Sequence, residues 1–254
     1  MVYQDGYVEV YDLVMRHRGR DYDGEARQIA ALVRERHPEA RALLDVACGT
    51  GLHLRSLVTL FEQVHGLDSS PDMLAMATTR TPDLVTHRGD MRSFALGRTF
   101  DAITCMFAVP HLTAPDELDA FVALLVRHLT RSGVLVLEPW YTPDQFLPGF
   151  VAKDVVEDGD RTIVRLSHSR RVADNRVSIT VHHVDVAPRA GLRHSTEQSE
   201  LTLFWPEEFQ AAFAKAGCTA EHLDVAPFSW GLWVARRSTG HRPAVLRSRS
   251  KAAR

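Results

Sequence analysis

Leu43-Leu44-Asp45-Val46-Ala47-Cys48-Gly49-Thr50-Gly51-Leu52-His53 is the stretch that decides the fold. Ala42 to Val46 is a short run of β character that ends in small residues and glycines. Leu52 to Phe61 follows with helical spacing, so the pattern is strand, tight turn, helix. Gly49 and Gly51 allow a sharp turn and let a ligand come close where a Cβ would block it. The helix expected after them opens with N–H groups that have no partner within the helix. Asp45 stands at the strand end, where a carboxylate reaches the crevice above a parallel sheet.

The glycines alone leave the ligand open. A dinucleotide fingerprint asks for a third glycine at position 54, and Leu54 is there. Two glycines also suit an ordinary strand–helix turn in any α/β protein. The continuation is more specific. Gln63 to Asp68 reads as a second strand ending in an acid, placed to take both ribose hydroxyls of a nucleoside. Val85 to Met91 repeats the arrangement with Asp90.

The chain of 254 residues suits one α/β domain with an insertion. A net charge of −2 points to no polyanionic partner, so no nucleic acid is expected. No apolar run reaches transmembrane length and no charged-then-apolar leader opens the chain, so no membrane is expected. Cys48, Cys105 and Cys218 lie far apart, which fits a reducing, cytoplasmic setting. Thirteen histidines show no metal-ligand spacing, and no metal is expected.

Tyr3, Tyr7 and Tyr11 recur every fourth residue and share one helical face, either packed on the core or forming a lid over the nucleoside. Arg16 to Arg20 is a basic loop, either solvated or holding an anion. A helix is expected over about Gly24 to Arg36. Ser70, Pro71 and Asp72 form a strong helix start, which turns Met73 inward, onto the core or the adenine. Asp101 to Phe107 reads as a fourth strand, apolar on both faces as in a parallel sheet. Its carboxyl end, Met106 to Leu112, carries His111. A helix over Asp116 to Leu129, a turn at Arg131-Ser132-Gly133 and a fifth strand over Val134 to Glu138 complete the alternation.

Beyond Trp140 the alternation stops. Thr162–Ser169, Arg176–Val186 and Thr196–Phe204 show period-two patterns, with turns at Gly159, Asn175 and Gly191. Pro206 to Ala216 is a helix closed by Gly217, and Thr219–Val225 and Gly231–Arg236 finish the main sheet. The fold class is α/β: a doubly wound, Rossmann-like parallel sheet with an antiparallel last strand, plus an inserted antiparallel β-sheet. Residues 1–140 and 205–237 form the nucleoside-binding domain. Residues 141–204 form the inserted acceptor or dimer region, and 238–254 a disordered basic tail.

Strand, Gly-x-Gly turn and two further strand-end acids resemble the S-adenosylmethionine (SAM) site of class I methyltransferases. The chain is more specifically similar to the SAM-dependent N,N-dimethyltransferases of dTDP-linked aminodeoxysugars, the desosamine and mycaminose type. The matching stretches are Tyr11-Asp12-Leu13, Gly19-Arg20-Asp21-Tyr22, Leu43 to Gly51, Gly89-Asp90-Met91-Arg92, Cys105-Met106-Phe107, Glu138-Pro139-Trp140, Ser167-His168-Ser169 and Leu201-Thr202-Leu203-Phe204. They cover all but the basic tail.

The resemblance implies a methyltransferase of secondary metabolism and antibiotic biosynthesis with SAM as cofactor, a small-molecule acceptor as partner, and a possible homodimer. It implies that Tyr11 and Arg20 flank the SAM and that Ala47 and its neighbours hold its methionine part; Asp45, Gly49 and Gly51 are cofactor-binding candidates from the strand–turn pattern itself. By the same resemblance Asp68 takes the ribose, Asp90 and Met91 the adenine, and Met106 the sulfonium region, while Met73 is a cofactor candidate only from its place in the helix start. Tyr22, Trp140 and Ser167, His168 and Ser169 belong to the acceptor pocket. Tyr3 and His111 are the catalytic candidates, with His111 beside the acceptor amine.

Two departures fall on the acceptor side. Relatives carry Gly-Arg-Gly-Leu-Phe near the C-terminus, whose arginine suits a diphosphate, and Trp230 stands in its place. Ala108-Val109-Pro110 replaces a longer turn before His111. Phe228, Trp230, Trp233, Trp140 and Tyr141 form either an aromatic acceptor pocket or ordinary packing. An indolic or phenolic metabolite is therefore the alternative acceptor. An unperturbed histidine titrates near neutrality, which suits His111 to orient or accept the amine proton.

Overall fold

The structure is a computed structural model in which residues 7–238 are described. Tyr3 and the tail from 239 onward, with the expectations placed on them, lie outside the described residues. In chain order the first elements are α1 (Tyr7–His17), α2 (Tyr22–Arg36), β1 (Ala42–Val46), α3 (Leu54–Leu57) and β2 (Gln63–Asp68). Next come α4 (Pro71–Arg80), β3 (Val85–Arg88), β4 (Phe100–Cys105), a 3-10 turn (Val109–His111), α5 (Pro115–Arg127) and β5 (Leu129–Leu137). The second part holds β6 (Val151–Asp158), β7 (Arg161–Ala173), β8 (Arg176–Ala187), β9 (Gly191–Thr202), α6 (Pro206–Lys215), β10 (Cys218–Leu223) and β11 (Leu232–Arg237).

Local chemistry sets several of these boundaries. Asp21 caps α2 by accepting the Gly24 N–H at 2.9 Å, and Ser70 caps α4 by accepting the Met73 N–H at 3.3 Å. The helix expected over Leu52 to Phe61 is only Leu54–Leu57. Beyond it the Thr59 and Leu60 amides bond three residues back, so the segment tightens into turns. The expected turn at Arg131 to Gly133 is instead a bulge within β5. The pairing with β4 passes from Phe100–Leu129 directly to Ala102–Val134, and Leu129 belongs to the strand rather than the helix.

The main sheet runs β10-β11-β5-β4-β1-β2-β3. The first five strands are mutually parallel, and β11 lies antiparallel to both β5 and β10. Strand order reverses between β1 and β4, which opens a crevice above their carboxyl ends. Ala47 to Gly51 and Met106 to His111 leave the sheet at that point. One face is covered by α5 and α6, with Phe121, Leu125, Phe209 and Phe213 around Trp233. The other is covered by α2 and α3, with Ile29, Val33, Leu54 and Leu57 against Val136 and Val234. Trp233 is 2% exposed and stacks on Phe209 at 5.5 Å, and Phe228 is 3% exposed. These two rings are core, so they leave the proposed aromatic pocket.

The inserted sheet is a four-stranded antiparallel meander, β6-β7-β8-β9, one strand more than the sequence pattern suggests. β6 is obscured in the sequence because its inward positions include Asp154. That carboxylate is satisfied by Arg18 from α1, a pairing no local pattern reveals. The inner face buries Val156, Ile163, Val177 and His183. The outer face exposes Val151, Val155, Leu166, Val186 and Leu192.

Helix α1 ties the insertion to the main sheet. Val10 and Val14 pack on Val156 and Ile163, and Arg18 grips Asp154 with two bonds of 2.9 and 2.7 Å. On its other side Asp12 accepts the Thr50 hydroxyl at 2.7 Å and pairs with Arg80 at 2.5 Å. Asp12 is 5% exposed, and removing one partner of such a buried pair costs about 3–5 kcal/mol.

Candidate active site

A cavity of about 510 Å³ lies between the switch point of the main sheet and the inner face of the insertion. It is large enough for a small-molecule ligand. Tyr11, Ala47, Gly49, Asp68, Met73, Asp90, Met91, Met106 and His111 all line it, so the structure brings these sequence-derived candidates together.

The glycine turn behaves differently from a phosphate loop. Gly49, at φ +55°, donates its N–H to Asp68 Oδ2 at 2.9 Å. The Cys48 N–H goes to the Leu67 carbonyl and the Gly51 N–H to the Cys48 carbonyl. The donors that would hold a phosphate are thus used internally. Asp68 also accepts the Ser70 N–H at 2.9 Å, which fixes the carboxylate while each oxygen keeps a lone pair for a hydroxyl. The turn presents a fixed acid, suited to a ribose and unsuited to a pyrophosphate.

The two glycines have separate reasons. An added Cβ at Gly49 meets nothing within 4 Å, which is the open side of the turn. At Gly51 (φ +76°) it would stand 2.8 Å from the Ala77 Cβ, so Gly51 serves the close approach of α4. Gly51 is not at the cavity wall. Neither is Asp45, which is 2% exposed and accepts the Thr104 hydroxyl at 2.6 Å. Burial pushes the Asp45 carboxyl up to about 6. It stands beneath the turn rather than at the ligand surface.

Arg20 is not free for an anion. Its Nε donates to both Glu25 oxygens at 2.9 and 3.0 Å, and its Nη2 to Glu138 at 2.6 Å. Its guanidinium lies over the rings of Tyr22 and Phe107, at 5.3 and 5.5 Å. Phe107 stands between Arg20 and the cavity it lines, and it holds φ +59°, which a bulky residue rarely adopts. Tyr22 meets His53 edge-on behind the same wall. Asp90 is fixed by Arg92, with bonds of 2.9 and 2.6 Å that hold its carboxyl below the usual range.

His111 ends the 3-10 turn and faces the cavity. Burial, reinforced by the charge of Arg92, pushes its imidazole down to about 4. The expectation of near-neutral titration therefore fails, because the ring is desolvated and has a cation nearby. Tyr11 is buried too, and burial raises its phenol above the ordinary range.

The acceptor-side candidates fare less well. Trp230 sits behind Phe107, ring centres 5.4 Å apart, with Tyr141 at 5.3 Å and Trp140 farther round the cluster. Only Phe107 of this group reaches the cavity. Of the β7 candidates, strand parity displaces His168. His168 is on the outer face of β7 with Leu166, opposite to the cavity. Ser167 shares the inner face, where its Oγ accepts from Arg165 at 3.1 Å, and Ser169 is 8% exposed beside the Phe150 carbonyl. The wall is formed instead by Arg165, Ile179, Val181, His183, Glu197 and Ser199, none singled out by sequence motif. Their common parity was available once the register of the meander was fixed.

The chain can be compared with known proteins on this basis. A family model described as a methyltransferase domain matches residues 43–133. The dTDP-3-amino-3,6-dideoxy-alpha-D-glucopyranose N,N-dimethyltransferase of Streptomyces fradiae is 46% identical over 233 residues, 91% of each chain. The chain belongs to the class I SAM-dependent methyltransferases. Within them it lies in the branch of the aminodeoxysugar N,N-dimethyltransferases. The crystal structure of Streptomyces venezuelae DesVI is 45% identical and superposes with a TM-score of 0.87, over 93% of this chain and 100% of that one. SAM-bound CalS10, an amino pentose methyltransferase of Micromonospora echinaspora involved in calicheamicin biosynthesis, is 41% identical with a TM-score of 0.82, over 94% and 98%.

The enzyme's cofactor is SAM, and the residues present fit it. Asp68 offers a fixed carboxylate, Gly49 an open backbone, and Met73, Met91 and Met106 an apolar lining. Among the described residues no helix is long and apolar enough to cross a membrane, and no cluster of metal-binding side chains occurs.

Proposed function

We propose that this enzyme N-methylates the amino group of a dTDP-linked aminodeoxysugar, in two successive transfers. The observation that carries the reading is the end-to-end match to enzymes named for that reaction, 46% identity over 91% of both chains in the case of the Streptomyces fradiae protein. The shape of the cavity supports it. One half carries the acids and methionines of a nucleoside site, and the other is a mixed polar wall from the inserted sheet.

SAM, when bound, supplies an already activated methyl group. The chain's own task is to align a nucleophile and exclude water. Asp68 and Asp90 orient the nucleoside end, Gly49 lets it approach, and Met73 and Met91 pack on it. Tyr11 and Met106 cover the region of transfer. His111 is neutral at physiological pH and takes a hydrogen bond from the acceptor amine, which holds its lone pair in line. Asp45, Arg20 and Gly51 hold these groups in place from behind the wall.

The aromatic-metabolite reading keeps only Phe107 at the cavity surface, since Trp233 and Phe228 are core and Trp230 is turned onto Phe107. A competition assay with SAM, dTDP-aminodeoxysugars and indolic or phenolic amines distinguishes the two. Transfer to the sugar nucleotides is expected. Transfer to the aromatic amines alone overturns the proposal. The exposed outer face of the insertion supports pairing of two copies there.

A further inference from the structure

His65 on β2 is 6% exposed, and both nitrogens of its ring are engaged. Arg98 Nη1 donates to Nε2 at 3.1 Å. A guanidinium cannot accept, so Nε2 is the acceptor and the proton of the neutral ring is on Nδ1. That N–H donates to His87 Nε2, on β3, at 2.8 Å. The two imidazoles tilt by only 18°, and His65 meets Phe100 edge-on at 5.2 Å. Arg98 lies over the same Phe100 ring at 4.9 Å and donates to Gln63 at 2.8 Å. Burial, with the Arg98 charge next, lowers both imidazoles, His65 to about 4, so the pair is neutral at physiological pH.

The three side chains bracket one segment of the chain. His87 is the next-to-last residue of β3, and Arg98 lies just before β4. Between them run Asp90 and Met91, which line the cavity, whereas His65, His87 and Arg98 stand behind it. His65 thus ties both ends of this segment to β2. The Gly89 N–H adds a bond to the carbonyl of Asp68, on the same strand, at 2.9 Å. Fixing both ends of a loop removes conformations from everything between them.

We propose that His65, with His87 and Arg98, is a positioning residue for the cofactor: it clasps the segment that presents Asp90 and Met91 to the nucleoside of SAM. This rests on the nucleoside reading of Asp90 and Met91 above. The clasp works in one proton arrangement. Arg98 sets the tautomer of His65, His65 then needs an acceptor, and His87 supplies it, so each bond fixes the next.

The test is calorimetric titration of SAM into the full chain at neutral pH, for wild type, His87→Ala, His87→Gln and Asp90→Asn. His87→Ala is expected to weaken SAM about threefold to tenfold, the range of one hydrogen bond. His87→Gln, whose carbonyl accepts the His65 N–H, is expected to stay within about twofold of wild type. In the Asp90→Asn background His87→Ala is expected to add little, because the one acts through the other. Nitrogen NMR of the imidazoles is expected to place the His65 proton on Nδ1 in wild type and on both nitrogens, as a mixture, in Arg98→Leu. Wild-type SAM affinity in His87→Ala, whatever its melting temperature, overturns the assignment, and so does a wild-type His65 protonated on Nε2. Wild-type SAM affinity in Asp90→Asn overturns the nucleoside reading itself, and the clasp with it.

Discussion

Asp68 accepts the Gly49 N–H at 2.9 Å, which joins the carboxyl end of β2 to the glycine turn after β1. The contact uses the donor that would otherwise attract a phosphate and leaves a rigid carboxylate at the cavity edge. On the proposed reading, the nucleoside half of the site is built on this bond.

Asp68→Asn keeps the shape and removes the charge, and an amide nitrogen cannot accept the Gly49 or Ser70 N–H. SAM affinity is expected to fall about tenfold to a hundredfold, from hydrogen bonds to a charged group worth about 1.5–3 kcal/mol. Calorimetric titration of SAM checks this. Affinity within twofold of wild type would remove Asp68 from the ribose site.

The two glycines of the turn are expected to fail in different ways. Gly51→Ala places a Cβ 2.8 Å from the Ala77 Cβ at a left-handed φ, and overpacking plus strain costs about 2–4 kcal/mol. Gly49→Ala meets open space and costs only the strain, about 1–2 kcal/mol, but its methyl enters the ligand's approach. Thermal melts with and without SAM separate them. Gly51→Ala lowers the melting temperature more, and Gly49→Ala loses more of the SAM-induced stabilisation.

His111 is pushed down to about 4, with burial as the main cause. The fold disfavours the imidazolium, so the stability this ring contributes is present above about 6.5 and is lost as pH falls through 4. His183, also pushed to about 4 by burial, acts in the same direction. Melting temperature is expected to decline from pH 6.5 to 4, and less steeply in His111→Gln. Above pH 6.5 the neutral ring is already present, so kcat/KM shows no His111 limb there. His111→Ala is expected to lower kcat about a hundredfold with SAM affinity unchanged. An unchanged kcat removes the role.

The outer face of the insertion exposes Val151, Val155, Leu166, Val186 and Leu192 on neighbouring strands, and exposed apolar side chains gathered on one face suit a contact surface. Light scattering on the purified chain is expected to give a dimer, and Leu166→Glu a monomer. A monomer in both would assign the face to some other contact.

The fold was legible wherever a residue's role is local. The run Ala42–Val46, the Ser70-Pro71 helix start and the strand-end acids Asp68 and Asp90 declare themselves in sequence, and each stands where it was read. β6 was not legible, because Asp154 looks wrong for an inner face until Arg18, 136 residues away, is brought beside it. The cavity wall formed by the inserted sheet was hidden for a related reason. In β7 a shift of one residue moves a side chain to the other face, so His168 looks outward while Arg165 looks into the cavity. Arg20 is expected at the ligand because its position matches the family, and Asp45 because it stands near the end of β1. In the structure their charges are met by protein groups behind the wall.

The most direct test of the account is the product itself. Purified enzyme, SAM and a dTDP-linked 3-amino- or 4-aminodeoxysugar are incubated together, and the product is examined by mass spectrometry and NMR. The account predicts two methyl groups, both on the sugar nitrogen, with a monomethylated species passing through as intermediate. Methyl groups on oxygen or carbon, or no transfer to either sugar nucleotide alongside transfer to an aromatic amine, would contradict it.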